Sequence, residues 1–169
     1  MTDDSDTDAG GSGFDRTDMG ILFPLQRNAR DTTAEEISEH IDIAPSTVAA
    51  RIRDLEDEGI IKGYIPVIDY GKTGFDHTYV VIGTGPQPLE QREEFVDDIL
   101  DVHGVVAIRE LSTDEENFSV EIVGRTQTDI FESLAALNAE GLTINRIEVV
   151  RQEKRQPFDH FGKQFTDLE

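Results

Sequence analysis

Between Thr33 and Tyr64 the apolar positions keep a helical period, stop, and resume. Ile37 and Ile41 lie four residues apart, and after a polar turn at Asp42 to Ala44 the stripe returns at Val48, Ile52 and Leu55. Thr33 and Glu36 have the S/T-x-x-E spacing in which each side chain bonds the other residue's backbone N–H, so a helix is predicted to start there. Pro45 suits the first position of the second helix, because the N–H it lacks has no intrahelical partner at that point. Gly59 is placed to end the same helix in a left-handed conformation. Tyr64 to Ile68 then reads as a strand. Helix, turn, helix and strand in this order predict a helix-turn-helix with a following wing. The face of the second helix opposite its apolar stripe carries Ser46, Ala50 and Arg53, with Thr47 and Arg51 on its flanks. Small residues and arginines on the N-terminal half of a helix are what a DNA major groove admits. Together with Lys62, just after the helix, these six are the candidate DNA contacts. A plain αα-hairpin in a helical protein shows a similar pattern, so spacing alone leaves both readings open.

From His77 onward the period changes. His77 to Gly83 is predicted as a strand, and a helix after Pro88 carries Phe95, Ile99 and Val102 on one side with acids on the other. Val105 to Leu111 and Asn117 to Arg125 read as strands around a turn at Thr113 to Glu116. Within the second of them Phe118, Val120 and Ile122 alternate with Ser119 and Glu121. A further helix with Ile130, Leu134 and Leu137 ends near Gly141, and Ile144 to Val150 closes the set. The order βαββαβ predicts a ferredoxin-like sandwich with both helices on one sheet face, and the fold class is α+β. Where the uncovered sheet face is apolar it needs a partner, which predicts a dimer.

The predicted organisation is an acidic lead over residues 1–13, a winged helix-turn-helix over 14–68, a linker over 69–76, the sandwich over 77–150 and a tail over 151–169. The lead is Asp, Ser and Gly rich with nothing to bury, and is expected to be disordered. In the tail, Phe158, Phe161, Phe165 and Leu168 recur at helical spacing after Pro157, predicting an amphipathic helix. Its phenylalanines are expected to dock on their own domain or a dimer partner, because Gly162 weakens the helix by about 1 kcal/mol and exposed phenylalanines favour aggregation.

Charge complicates this picture. The net charge is −21, whereas DNA binding usually relies on a basic face that displaces counterions from phosphates. The charge is unevenly placed: net −5 over residues 14–74 against −12 over 75–150. Only four of the fifteen basic residues are lysines. An acidic, lysine-poor surface is expected of a protein from a salt-accumulating cell, where screening reduces self-repulsion, and a halophilic archaeon is the expected source. In molar salt counterion release contributes little, so binding leans on base contacts, apolar contacts and dimer avidity. There are no cysteines, which excludes disulfides and thiolate metal sites. No run reaches the ~20 apolar residues of a membrane span and the N-terminus is acidic, so a cytoplasmic protein is expected. His40, His77, His103 and His160 fall in different elements, so no metal site is predicted, and no carboxylate pair is marked as catalytic.

From Phe14 to Phe75 the chain resembles the DNA-binding domain of the Lrp/AsnC family of transcriptional regulators. The matching residues are Asp15, Asp18, Ile21-Leu22, Leu25-Gln26, Asn28, Arg30, Pro45-Ser46-Thr47-Val48, Arg51-Ile52, Leu55-Glu56, Gly59-Ile60-Ile61, Gly63-Tyr64 and Gly74. The resemblance extends more loosely over His77 to Val150. It implies a sequence-specific regulator without cofactor or catalytic residues, binding double-stranded DNA at a palindromic site as a homodimer or higher oligomer. It also implies an amino acid or related metabolite as effector near the turn of the second domain. The family pattern there resembles T-G-x-x-D-[YF]; this chain has Thr113, Asp114 in place of glycine, and Asn117 in place of the acid. Those three and Arg109 are the candidate effector contacts. Two further departures concern the first domain. Pro24 falls inside the first helix, where it is expected to kink or split it at a cost of about 3 kcal/mol. Ala44 stands where the family more often has a capping serine, a loss of about 1 kcal/mol that Ser46 or water is expected to offset. Two other functions share this pattern. Siroheme decarboxylases resemble the same family in both domains but tend to carry His and Trp in the region of Ile108 to Ile122, which here has neither. A non-specific nucleoid protein is disfavoured by the net acidity.

Overall fold

Asp15 opens the first helix, α1 (Arg16–Asn28), with a reciprocal cap. Its carboxylate accepts from the backbone of Thr17 and Asp18, and the Asp18 side chain accepts from the Asp15 N–H. The structure is a computed structural model that describes residues 13–113 and 115–162. Two helices follow, α2 (Ala34–Ile41) and α3 (Pro45–Asp57). The predicted box at Thr33 forms, with Glu36 N–H donating to Thr33 Oγ1 at 3.2 Å and Thr33 N–H to Glu36 Oε2 at 2.9 Å. Ile21, Leu22, Ile37, Val48 and Leu55 form the buried core of these helices. Gly20 lets α1 and α2 approach, since a Cβ there would lie 2.9 Å from Ile41 Cγ2.

Pro24 does not split the first helix. α1 runs unbroken through it, with Pro24 itself buried in the core side. The missing N–H removes one hydrogen bond, and burial of the apolar ring offsets part of that loss.

The Tyr64 to Ile68 strand is not formed. The segment pairs with no strand among the described residues, and Ile65 and Val67 are 85% and 86% exposed. Pro66 removes a donor from its middle, and extended backbone without a neighbouring strand has no ladder to join. The tail helix is not formed over the described part of the tail, which ends at Gly162. Instead of a helix from Pro157, a single 3₁₀ turn spans Asp159–Phe161 and stops at Gly162, whose φ of 115° breaks the helical path. Phe165 and Leu168 lie outside the described residues, as does the lead over residues 1–12. By contacts, the chain divides into two compact units, one running to Pro66 and resumed from Arg155, the other Val67–Lys154.

The second unit holds β1 (His77–Thr84), α4 (Arg92–Asp101), β2 (Val105–Glu110), β3 (Phe118–Gly124), α5 (Gln127–Ala139) and β4 (Thr143–Val149). The strands form one antiparallel sheet in the order β2-β3-β1-β4, the ferredoxin-like arrangement. Tyr79, Val81, Phe118, Val120, Ile122 and Ile108 share one face and pack with Phe95 and Ile99 of α4 and Ile130 and Leu137 of α5. By register the opposite face carries Val80, Ile82 and Val123, but also Arg109, Glu121, Arg146 and Glu148. It is therefore a short apolar strip flanked by ion pairs, Arg109–Glu121 at 3.7 Å and Arg146–Glu148 at 3.2 Å.

Candidate nucleic-acid interface

The turn between α2 and α3 is made by Asp42, whose φ of 56° and ψ of 46° place it in the left-handed region, with its N–H donating to Ser38 O at 3.0 Å. An aspartate tolerates that conformation better than most residues. Ala44 and Pro45 follow, so α3 leaves the turn with a fixed entry angle. At the far end Gly59, at φ +71°, donates to Glu56 O, and Ile61 N–H returns to Leu55 O at 2.9 Å. Val48 and Leu55 anchor one side of α3 in the core.

Ser46, Thr47 and Arg53 are exposed on the other side, as is Lys62 beyond the helix, while Ala50 is half-buried. No acidic residue occupies the first turn of α3, and no side chain caps it. Ser46 does not take over the missing cap; the first turn instead closes on the Ala44 carbonyl through Thr47 and Val48. Remaining N–H groups at that end carry the positive end of the helix dipole, a favourable place for an anion. Acids gather at the opposite end, at Asp54, Glu56, Asp57 and Glu58. Tyr64 donates to Glu56 Oε1 at 2.9 Å, and burial together with this carboxylate pushes its phenol up to about 12.

Arg51 has a different situation. Its guanidinium meets Asp15 at 2.9 Å and both oxygens of Asp18 at 3.3 Å. The Asp18 side chain is 3% exposed, and that of Arg51 35%. Burial pushes the Asp15 carboxyl up, but N–H bonds from Asp18 and Thr17 and the Arg51 charge outweigh it, and it lies below its ordinary value. Arg51 thus ties α3 to the start of α1 and compensates a buried carboxylate. The Asp15-x-x-Asp18 spacing is a capping signal in its own right, and with it a partner for Arg51 could have been sought.

In the second unit, the residues named as effector contacts are not brought together. Arg109 faces Glu121 on the open side of β2. Asn117 is fully buried; its Oδ1 accepts from Gly85 N–H at 2.8 Å and its Nδ2 has no partner. Thr113 donates to Glu116 O at 2.6 Å, and Asp114 lies outside the described residues. A cleft of about 440 Å³ does open beside this turn, lined by Gln87, Arg92, Glu110, Leu111, Ser112 and Thr113. Arg92, which the sequence reading passed over among the acids of its helix, donates to the Pro86 and Gln87 carbonyls and pairs with Glu110. Among the described residues no group of His, Cys, Asp or Glu could hold a metal ion, and no helix is long and apolar enough to cross a membrane.

With this geometry in view, the chain matches the winged helix-turn-helix DNA-binding family over residues 14–62. It is 31% identical over 142 residues to an HTH-type transcriptional regulator of Pyrococcus furiosus, spanning 83% of this chain and 85% of that one. Other regulators match over a shorter stretch; for two Bacillus subtilis proteins the chain spans 55% and 45% of their length. Among solved structures, the leucine response regulatory protein of Mycobacterium tuberculosis superposes with a TM-score of 0.71 at 17% identity, over 88% of this chain and 99% of that one. A Neisseria meningitidis transcriptional regulator in complex with L-Met gives 0.68 at 21% identity, over 85% and 94%.

Proposed function

Since the chain belongs to the HTH-type transcriptional regulators and has the fold of their Lrp/AsnC members, we propose that it regulates transcription as a homodimer or higher oligomer reading a palindromic DNA site. Ser46, Thr47, Ala50 and Arg53 of α3 are the base-reading residues, and Lys62 is a phosphate contact. The observation that carries this reading is the exposed, acid-free N-terminal half of α3, with Arg53 directed away from the core that holds Val48 and Leu55. Arg51 lies at the margin of this surface and serves mainly the Asp15–Asp18 carboxylates. A two-fold pair of such helices reads half-sites about one helical turn apart.

The effector is an amino acid or related metabolite held in the second unit at the cleft beside Thr113, where a zwitterion has to exchange with the Arg92–Glu110 pair that lines it. The L-Met complex of the Neisseria regulator supports the ligand class. The protein works in the cytoplasm of a salt-accumulating, haloarchaeal cell, which the charge of −21 supports. Its role is binding, not catalysis. Fluorescence anisotropy against the duplex upstream of its own gene, with an unrelated duplex as control, tests this in high salt. Preferential binding that Arg53→Ala weakens is expected; equal affinity for both duplexes contradicts sequence-specific reading.

A further inference from the structure

The last described residues do not end at the sheet unit. Phe161 packs against the core of the helical unit, with its ring edge-on to Phe14 at 6.0 Å and to Phe158 at 5.0 Å. The Phe158 N–H donates to Gln26 Oε1 at 3.1 Å, while Gln26 Nε2 donates to the Leu22 carbonyl, so the receiving amide is itself oriented by α1. Gly162 is buried behind this turn. The contact is therefore built from both sides: aromatic packing, an aimed acceptor, and a glycine conformation that turns the chain at its end.

Connectivity gives this contact a consequence. The helical unit is joined to the sheet unit twice, once between Pro66 and Val67 and again between Lys154 and Arg155. One flexible connection leaves two bodies free to reorient, whereas a second attachment removes much of that freedom and raises the effective concentration of one relative to the other. We propose that the Phe158-Asp159-His160-Phe161 turn is a second tether, docked on Phe14 and on Gln26 of α1, that limits the reorientation of the DNA-reading unit. It thereby sets the avidity with which paired reading units engage two half-sites. This rests on the regulator reading above. It assigns the tail to the reading unit itself, leaving the reading face of α3 to DNA.

Two full-length variants test it. Six glycines inserted between Arg151 and Gln152, in the irregular exposed stretch before the turn, lengthen the tether without touching its dock. Phe158→Ala with Phe161→Ala removes the dock. Hydrogen exchange at the Phe158 amide reports docking, and anisotropy is read on a duplex with one half-site and on one with two. The insertion is expected to leave Phe158 protection, thermal midpoint and half-site affinity unchanged while lowering two-site affinity about fivefold. The double alanine variant is expected to lose protection and show at least the same two-site loss. If the insertion leaves two-site affinity at the wild-type level, the tether role is overturned and the turn is only a packing patch. If Phe158 exchanges freely in the wild type, the docking itself is overturned. If the wild type binds neither duplex, the regulator reading fails, and the exchange data show that failure to be separate from the dock.

Discussion

Two arginines two positions apart on α3 sit in opposite surroundings, Arg51 paired with carboxylates and Arg53 exposed. Arg51 faces a carboxylate that is almost wholly buried, and a buried charge stripped of its partner is costly. Because the Arg51 side chain is itself 35% exposed, Arg51→Ala is expected to destabilise the helical unit by about 2 kcal/mol, below the 3–5 of a fully buried pair. Arg53→Ala, at an exposed position, should change stability by no more than about 0.5 kcal/mol and weaken operator binding about tenfold. Urea denaturation and anisotropy on the two variants separate these effects; comparable destabilisation by both contradicts the division. The same cluster sets an acid limit. The Asp15 carboxyl is held below its ordinary value of 3.8 by N–H bonds and by Arg51, against the opposing effect of burial. A carboxyl depressed by folding stabilises above its unfolded pKa and loses that contribution as the pH falls through the folded one. Stability should therefore decline below about pH 4, and more steeply in the wild type than in Asp15→Asn. Parallel denaturation midpoints for both between pH 5 and 2.5 would rule Asp15 out.

At the scale of elements, α3 is the least well started of the three N-terminal helices. α1 and α2 open on reciprocal capping boxes, whereas α3 opens on Ala44, whose φ of −64° and ψ of 142° already suit a capping side chain. Ala44→Ser is expected to stabilise the unit by about 1 kcal/mol, seen as a higher denaturant midpoint with unchanged slope. A null effect indicates that the α3 N–H groups are satisfied by solvent as well as by a hydroxyl. Elements fixed by local chemistry were legible from sequence: the Thr33–Glu36 cap, the Pro45 start, the Gly59 stop and the alternation of β3. What local chemistry does not decide was not legible. Pro24 lies buried in an unbroken helix, and whether a position is buried depends on the fold as a whole, not on the local spacing. Tyr64–Ile68 has strand composition but pairs with no strand among the described residues. The tail's aromatic spacing suggested a helix, while its described part, up to Gly162, forms a single turn that packs on the helical unit. For the candidate site the helical face was readable, but the engagement of Arg51 by Asp15 and Asp18 depends on the packing of α3 on α1. The cleft beside Thr113 depends on Arg92, which only the fold brings next to Glu110.

For the whole molecule the question is how a chain of net charge −21 approaches a polyanion. Acidity is concentrated in residues 75–150, and in the helical unit Arg51 is already paired with carboxylates. With Arg53 assigned to the bases, the proposed reading surface offers phosphates only Lys62 and the dipole at the α3 start. A protein that neutralises Z phosphates loses affinity with a slope of about −0.9Z in log K against log salt. With about two phosphates met by each half of a dimer, the slope is limited to roughly −4, and repulsion between acids and DNA, which salt screens, makes it shallower still. A roughly tenfold rise in potassium chloride, from tenths molar to about 2 M, should therefore lower operator affinity by a factor of no more than about 10⁴, whereas a protein making 6–10 phosphate contacts would lose roughly 10⁵ or more over the same range. Anisotropy titrations across that range measure the slope. A value steeper than about −6 would mean that cations outside α3 and Lys62 carry the contact, and the interface would have to be moved elsewhere on the helical unit.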